Sequence, residues 1–266
     1  MNSPVKLRWV CALMVVFIVL LSAQAVIYLA DAMRGDATQG PMIHAGIVAM
    51  IVGYTLVRMI WRIVAQSYGS WTWRKHFRSI QHVKLTRRFA YKYRSLGTEI
   101  LVVKDRAFIA LTIGMRRPTI VLSSSVFDLF NDDEVKAIIL HEWHHCRNRD
   151  NVKLFLMKLL TEGFGYLPIM RPIFHYYHTW MELLADRFAM QRMGTEVPLA
   201  HVLLKLSKLG AVRQHAAAVH FATATMDYRI AQVLEPNKIV KVKLAWLRPL
   251  LVSFSLLFLL MIGGDS

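Results

Sequence analysis

Residues 131–145 read Asn131-Asp132-Asp133-Glu134-Val135-Lys136-Ala137-Ile138-Ile139-Leu140-His141-Glu142-Trp143-His144-His145, and this stretch decides the fold. Asn131 is a good N-cap and Glu134, three residues later, is its capping-box partner, so a helix starts here. On a wheel of about 100° per residue, Val135, Ile138, Ile139, His141, Glu142 and His145 share one face. The apolar members turn that face toward a core, and the two imidazoles go with them. Positions i and i+4 stack one above the other, so His141 and His145 can aim at one Zn²⁺. Glu142 lies beside them, placed to take a proton from a water attacking a peptide carbonyl. His144 lies on a different side of the helix, and at Cys146 the neighbouring His145 already occupies the ligand position.

A second stretch completes the pattern. Glu182 and Asp186 lie four residues apart in a predicted helix from Trp180 to Met193, with Thr179 as its N-cap and Gly194 after it. Both carboxylates then share a face. Glu182 is the expected third protein ligand, which leaves a fourth coordination position for water, as a catalytic zinc requires. Asp186 is the expected partner for the outer N–H of a ligating histidine, His141 before His145. Ala185 and Ala189, small and on the same side, allow close approach of the two helices. The competing reading is an ordinary solvated helix face.

The remainder of this region predicts an α+β domain, mostly helical. Glu99–Lys104, Phe108–Ile113 and Thr119–Ser123 read as strands, the last two separated by Gly114 and Pro118. Further helices follow at Asn151–Leu160, Pro198–Leu209 and Tyr228–Leu234. The strand Thr119, Ile120, Val121, Leu122, Ser123 is expected to be either an edge that pairs with an extended substrate or a simple internal strand. His175-Tyr176-Tyr177-His178 reads as an aromatic loop, an interfacial anchor or a source of an oxyanion donor.

Composition says where this chemistry takes place. The chain has 266 residues, 55% of them hydrophobic, too many for an ordinary soluble domain. Val10–Ala30 is a charge-free run of 21 residues, long enough to cross a hydrocarbon core of about 30 Å. Met42–Trp61 carries a single charge, Arg58, near its end, with Tyr54 and Trp61 as amphipathic anchors. Leu244–Ile262 is a third candidate span, broken by Arg248 and Pro249, with a core helix as its rival. Ser22-Ala23-Gln24-Ala25 also fits a signal-peptide cleavage site.

Lys6 and Arg8 precede the first run, and basic residues crowd after Arg58 and before Leu250, which puts the N-terminus and a large domain in the cytoplasm and a short C-terminal tail outside. The expected organisation is two spans in 1–64, a cytoplasmic domain in 65–243, and a last span and tail in 244–266. The three basic and three acidic residues outside Arg58–Arg248 cancel, so the whole net charge of +16 falls in that interval. It suits anionic lipid or an acidic protein. No finger spacing or aromatic ribonucleoprotein motif points to direct nucleic-acid binding. Two cysteines, Cys11 and Cys146, do not make a disulfide framework and fit a reducing compartment.

Taken together, Pro118-Thr-Ile-Val-Leu-Ser123, Asp133-Glu-Val135, His141-Glu-x-x-His145 with Arg147, Arg149 and Asp150, and Glu182-x-x-x-Asp186 resemble the BlaR/MecR-type membrane metallopeptidases, bacterial antibiotic sensor-transducers. The resemblance covers most of residues 42–262. It implies a gluzincin-like zinc endopeptidase in the bacterial cytoplasmic membrane, one Zn²⁺ per chain, acting in regulated proteolysis on a repressor-like protein. His141, His145 and Glu182 match that family's zinc ligands and Glu142 its catalytic base. The sensor-transducers continue past the last span into an extracellular penicillin-binding domain, whereas this sequence ends at Ser266 and has one N-terminal span fewer; an accessory membrane protein supplying the signal is the expected substitute.

Glu182-Leu-Leu-Ala-Asp-Arg-Phe-Ala189 also resembles HtpX-type quality-control proteases. Those place two spans between H-E-x-x-H and the third ligand, and the 36 residues from 146 to 181 are too few for two crossings of about 20 residues each. A membrane protein in which zinc only staples helices is the non-enzymatic alternative. Oligomeric state is left open by the sequence.

Overall fold

The computed structural model describes residues 39–212 and 219–262, apart from 237, 239 and 244, together with scattered positions between 9 and 30. The Val10–Ala30 segment lies largely outside the described residues. The elements are α1 (Gln39–Ser79), α2 (Val83–Lys92), β1 (Glu99–Val103), β2 (Ala110–Ile113), β3 (Thr119–Ser123), α3 (Ser125–Leu129), α4 (Asp132–Asn148), α5 (Asp150–Gly163), α6 (Met170–Met193), α7 (Val197–Val212), α8 (Val219–Leu234) and α9 (Leu247–Ile262). The architecture is α+β and mostly helical. Two compact units divide the chain, with boundaries inside α1, α5 and α6.

One unit comprises residues 1–65, 156–177 and 243–266. Its main element is the first part of α1. The stretch Ala45–Ser79 is long and apolar enough to cross a membrane, and only 6% of its most apolar window is buried. Outward-facing Met50, Val57, Ile60 and Trp61 are what a lipid environment accepts. The end of α5 packs closely here: a Cβ on Gly163 would stand 2.7 Å from Met59 Cγ, so a larger residue would require the Met59 side chain to shift. Arg62 pairs with Glu162 at 3.6 Å, and Ile169 N–H donates to the buried Ser253 hydroxyl of α9 at 3.3 Å.

The other unit, residues 66–155 and 178–242, carries the sheet and the motif helices. Strand order is β1-β3-β2, with β1 parallel and β2 antiparallel to β3. One core combines Ile100, Val102, Ile120 and Leu122 from the sheet with Val135, Ile138 and Ile139 of α4. Their alternation along β1 and β3 sends every second side chain to α4, while Leu101, Val103 and Val121 face Phe77 on the opposite side. A second core joins Ala137 and Leu140 of α4 to Ala189, Met190, Leu199, Leu203 and Val233. Ala185 and Ala189 are fully buried, so α4 and α6 approach without a large side chain between them.

Several sequence expectations need correction. Thr119–Ser123 is no edge: β1 and β3 pair from Glu99↔Thr119 to Val103↔Ser123, and β2 covers the other side from Ala110↔Leu122 to Ile113↔Thr119. With both sides engaged, its backbone has nothing left for a substrate strand. Thr179 is not an N-cap, because α6 begins at Met170; Pro172 is tolerated in the first turn, and His175–His178 continue the helix. The predicted second span, Met42–Trp61, is part of a 41-residue helix that runs on to Ser79.

Candidate metal centre

Helix α4 starts where Asn131 Oδ1 accepts from Glu134 N–H at 2.8 Å and Glu134 Oε2 accepts from Asn131 N–H at 3.0 Å. Asp132, Asp133 and Glu134 add negative charge at the positive end of the helix. Ten residues past this start the helix carries His141, Glu142 and His145, all buried. It stops at Arg149, the one described non-glycine residue with positive φ, at 53°. That left-handed turn launches α5 so that Asp150 folds back on the end of α4, its Oδ2 lying 2.9 Å from His145 Nδ1.

Helix α6 supplies the opposing wall. Glu182 Oε2 is 3.3 Å from His141 Nε2, and Oε1 is 3.6 Å from His145 Nε2. The two Nε2 atoms are 3.1 Å apart, and all three ligand atoms fall within 4.8 Å of one another. Asp186, one turn on and fully buried, puts Oδ1 2.8 Å from His141 Nδ1. Each imidazole therefore has a carboxylate behind its Nδ1. A proton held at Nδ1 leaves both Nε2 lone pairs aimed at each other and at the Glu182 carboxylate.

Three residues here have roles that sequence reasoning did not assign. Arg229 of α8 donates from Nε and Nη2 to Asp186 at 2.7 and 2.8 Å, and its Nη1 reaches Glu182 Oε2 at 3.1 Å. No spacing connects it to residues more than forty positions earlier, and the helix also carries Asp227, so nothing local singles Arg229 out. Asp150, already visible as the acid following His145 by five, serves His145 as Asp186 serves His141, and Lys153 Nζ holds its other oxygen at 2.9 Å. Thr112 of β2 directs its hydroxyl at the Glu142 carboxylate, 3.0 Å away, and lies 3.1 Å from the Glu142 carbonyl oxygen.

Burial works against charge in this cluster, yet specific partners overcome it. Burial opposes charging His141, but Asp186 and Glu182 push its pKa up to about 10. Burial likewise opposes ionisation of Glu182 and Asp186, and Arg229 with His141 nevertheless holds Asp186 below the usual carboxylate range and Glu182 well below it. Asp150 is lowered by His145 and Lys153 against its own burial. The Cys146 thiol is driven up to about 11 by burial, so the thiolate that a metal would need is disfavoured. His144 is driven down to about 4 by burial.

These residues fit a divalent cation. Two imidazole nitrogens and a carboxylate oxygen converge within 4.8 Å of one another, and a cation can take the place of the proton that the raised pKa puts on His141. In the metal-free cluster His141, as a cation, stands with Arg229 and Lys153 against the carboxylates of Glu142, Asp150, Glu182 and Asp186, and a divalent ion taking its Nε2 would supply positive charge in that proton's stead. Two imidazole nitrogens and a carboxylate suit zinc. A neighbouring cluster of His144, His145 and Asp150 shares His145, but His144 Nδ1 is 3.9 Å from Asp150 and its Nε2 is 2.8 Å from the Asn148 amide nitrogen. Of the two clusters only the first has all its members, with Glu142, on the wall of a cavity of about 670 Å³ that Ala110, Leu111 and Thr112 of β2 also line.

An α+β domain that sets a two-histidine, one-carboxylate cluster on the wall of an open cavity defines the class of protein. A family model described as BlaR1 peptidase M56 matches residues 16–233, and the chain belongs to the peptidase M56 family. It is 27% identical over 101 residues to the Regulatory protein BlaR1 of Bacillus licheniformis, a match covering 37% of this chain and 17% of that relative's length.

Proposed function

We propose that the protein is a membrane-anchored zinc endopeptidase whose site residues are His141, His145 and Glu182 as metal ligands and Glu142 as general base. The observation that carries this reading is the joint exposure of the three ligands and Glu142 to one cavity. Held by His141, His145 and Glu182, zinc would supply Lewis-acid chemistry toward a scissile carbonyl and an attacking water. Glu142 takes the proton of the attacking water and delivers it to the leaving amine. Asp186 and Asp150 hold the two imidazoles in one tautomer and orientation, and Arg229 keeps Glu182 and Asp186 charged.

The substrate strand belongs on β2. Ser123 N–H donates to Ile109 C=O at 2.8 Å, so alternation turns the backbone groups of Ala110 and Thr112 away from β3. Thr112 C=O already accepts from the Asn151 amide at 2.9 Å, which leaves Ala110 and the Thr112 N–H for an extended peptide.

Cellular role follows the family and the charge. The relative's name describes a regulatory protein, and the +16 charge suits a domain held at an anionic cytoplasmic leaflet between multiple spans. We read the protein as cleaving a cytoplasmic, repressor-like substrate under control of an accessory membrane sensor. Glu142→Ala in the native membrane should retain about one zinc per chain, lose proteolysis and trap that substrate for identification. Surviving proteolysis would refute the assigned mechanism, and capture of many misfolded membrane proteins would replace regulation by quality control.

A further inference from the structure

We propose that Thr112 is a positioning residue that couples the substrate-binding edge of β2 to the general base Glu142. The inference rests on the zinc-endopeptidase reading and extends it to a residue outside the H-E-x-x-H and E-x-x-x-D patterns.

Thr112 is held at its hydroxyl and at its carbonyl oxygen. Its hydroxyl stands 3.0 Å from Glu142 Oε2 and 3.1 Å from the Glu142 carbonyl oxygen. The same oxygen is 3.5 Å from Cys146 Sγ, one turn further along α4. Its carbonyl oxygen accepts from Asn151 Nδ2, which also reaches the Gly114 carbonyl at 3.2 Å. Its N–H, by the alternation of the β2–β3 ladder, faces the cavity edge.

A hydroxyl has one proton and can accept as well. When Thr112 gives its one proton to the Glu142 carboxylate, the nearer of its two Glu142 acceptors, its oxygen is free to accept from the buried Cys146 S–H. This fixes one carboxylate oxygen and leaves the other free to meet the attacking water. Because the hydroxyl and the outward N–H belong to one residue, a peptide that pairs with β2 sets the position of the residue that aims the base. A free carboxylate at the helix surface would sample several rotamers; this one is held by a strand that also reads the substrate.

The test uses the full-length protein in detergent, loaded with zinc, and acetyl-leucine hydroxamate as probe. A hydroxamate chelates the metal while its own proton hydrogen-bonds the general base, so its affinity reports the aim of Glu142 without any turnover. Thr112→Val removes the hydroxyl at constant shape, and affinity is expected to fall about tenfold, the worth of one well-placed hydrogen bond to a charged group. Zinc content should stay at wild-type level, and Thr112→Ser should bind as the wild type does. With a cleavable peptide the same loss should appear in kcat and not in KM. Thr112→Ala serves as a second variant where the added methyl of valine disturbs folding. Wild-type affinity in both Thr112→Val and Thr112→Ala overturns the proposal, as does a Thr112→Ser variant as weak as valine. The parent reading fails differently: a wild-type protein that holds no zinc, or binds no hydroxamate, removes the metal site itself and this proposal with it.

Discussion

Arg229 and Asp186 form a two-pronged pair, Nε to Oδ2 at 2.7 Å and Nη2 to Oδ1 at 2.8 Å, and Asp186 is entirely buried. The carboxylate behind His141 is thus shared by an imidazole and a guanidinium. Cutting one side of such a pair strands a buried charge. Arg229→Met is expected to destabilise the metal-free protein by about 3 kcal/mol or more. Arg229→Lys should recover little, because an ammonium cannot reproduce the fork. Thermal unfolding with and without zinc checks this, and the variant should gain more from zinc than the wild type, since the cation then meets unopposed carboxylates.

Asp186 and Asp150 each face the Nδ1 of one imidazole of the cluster, His141 at 2.8 Å and His145 at 2.9 Å. Asp186→Asn and Asp150→Asn keep shape while removing the charge that fixes the tautomer. Zinc affinity should fall about 10- to 100-fold in each, measured by competition with a chelator of known affinity. An unchanged affinity would remove these residues from the site.

Glu134 is buried at the start of α4, where Lys205 lies 2.7 Å away and Asn131 N–H donates to it. Burial alone would raise its pKa, but Lys205 and the Asn131 backbone lower it below the ordinary carboxylate value. A folded pKa below the unfolded one contributes stability that is present above the unfolded pKa and lost as pH falls through the folded pKa. Glu134→Gln should therefore cost about 1 kcal/mol at pH 7, a figure kept small because Lys205 is half-exposed and screened. Denaturant unfolding of both proteins across acidic pH should show that gap close as the carboxylate protonates.

Ala110 sits on β2, the edge strand, with its N–H turned away from β3. Proline there removes one outward donor and leaves the ladder to β3 intact. Ala110→Pro should weaken an extended peptide hydroxamate by about tenfold while acetyl-leucine hydroxamate binds as before. Equal loss for both probes would show distortion of the site and not loss of a strand partner.

The legible part of this protein is the part encoded by short-range periodicity. Asn131 and Glu134 announce the start of α4 because a capping box is closed within four residues. His141 and His145 share a face because a helix repeats every 3.6 residues, and Glu182 and Asp186 share one for the same reason. Strand order is a different matter. Thr119–Ser123 has the composition of a strand, but whether it lies at an edge depends on which neighbours pair with it, and β3 inserts between β1 and β2 in a crossover that leaves no local mark. Thr179 has the chemistry of a cap, yet α6 runs through it because upstream residues continue the helix.

By itself, then, the sequence determined the helices that carry the two motifs, the apolar run in α1 and the family. Only the tertiary structure decided that Arg229 closes on Glu182 and Asp186, that Asp150 turns back to His145 through a left-handed Arg149, and that β2 presents Thr112 to Glu142. Those contacts join residues that local periodicity does not connect, and burial is what makes them strong: away from water a charge must find its partner wherever the chain brings one.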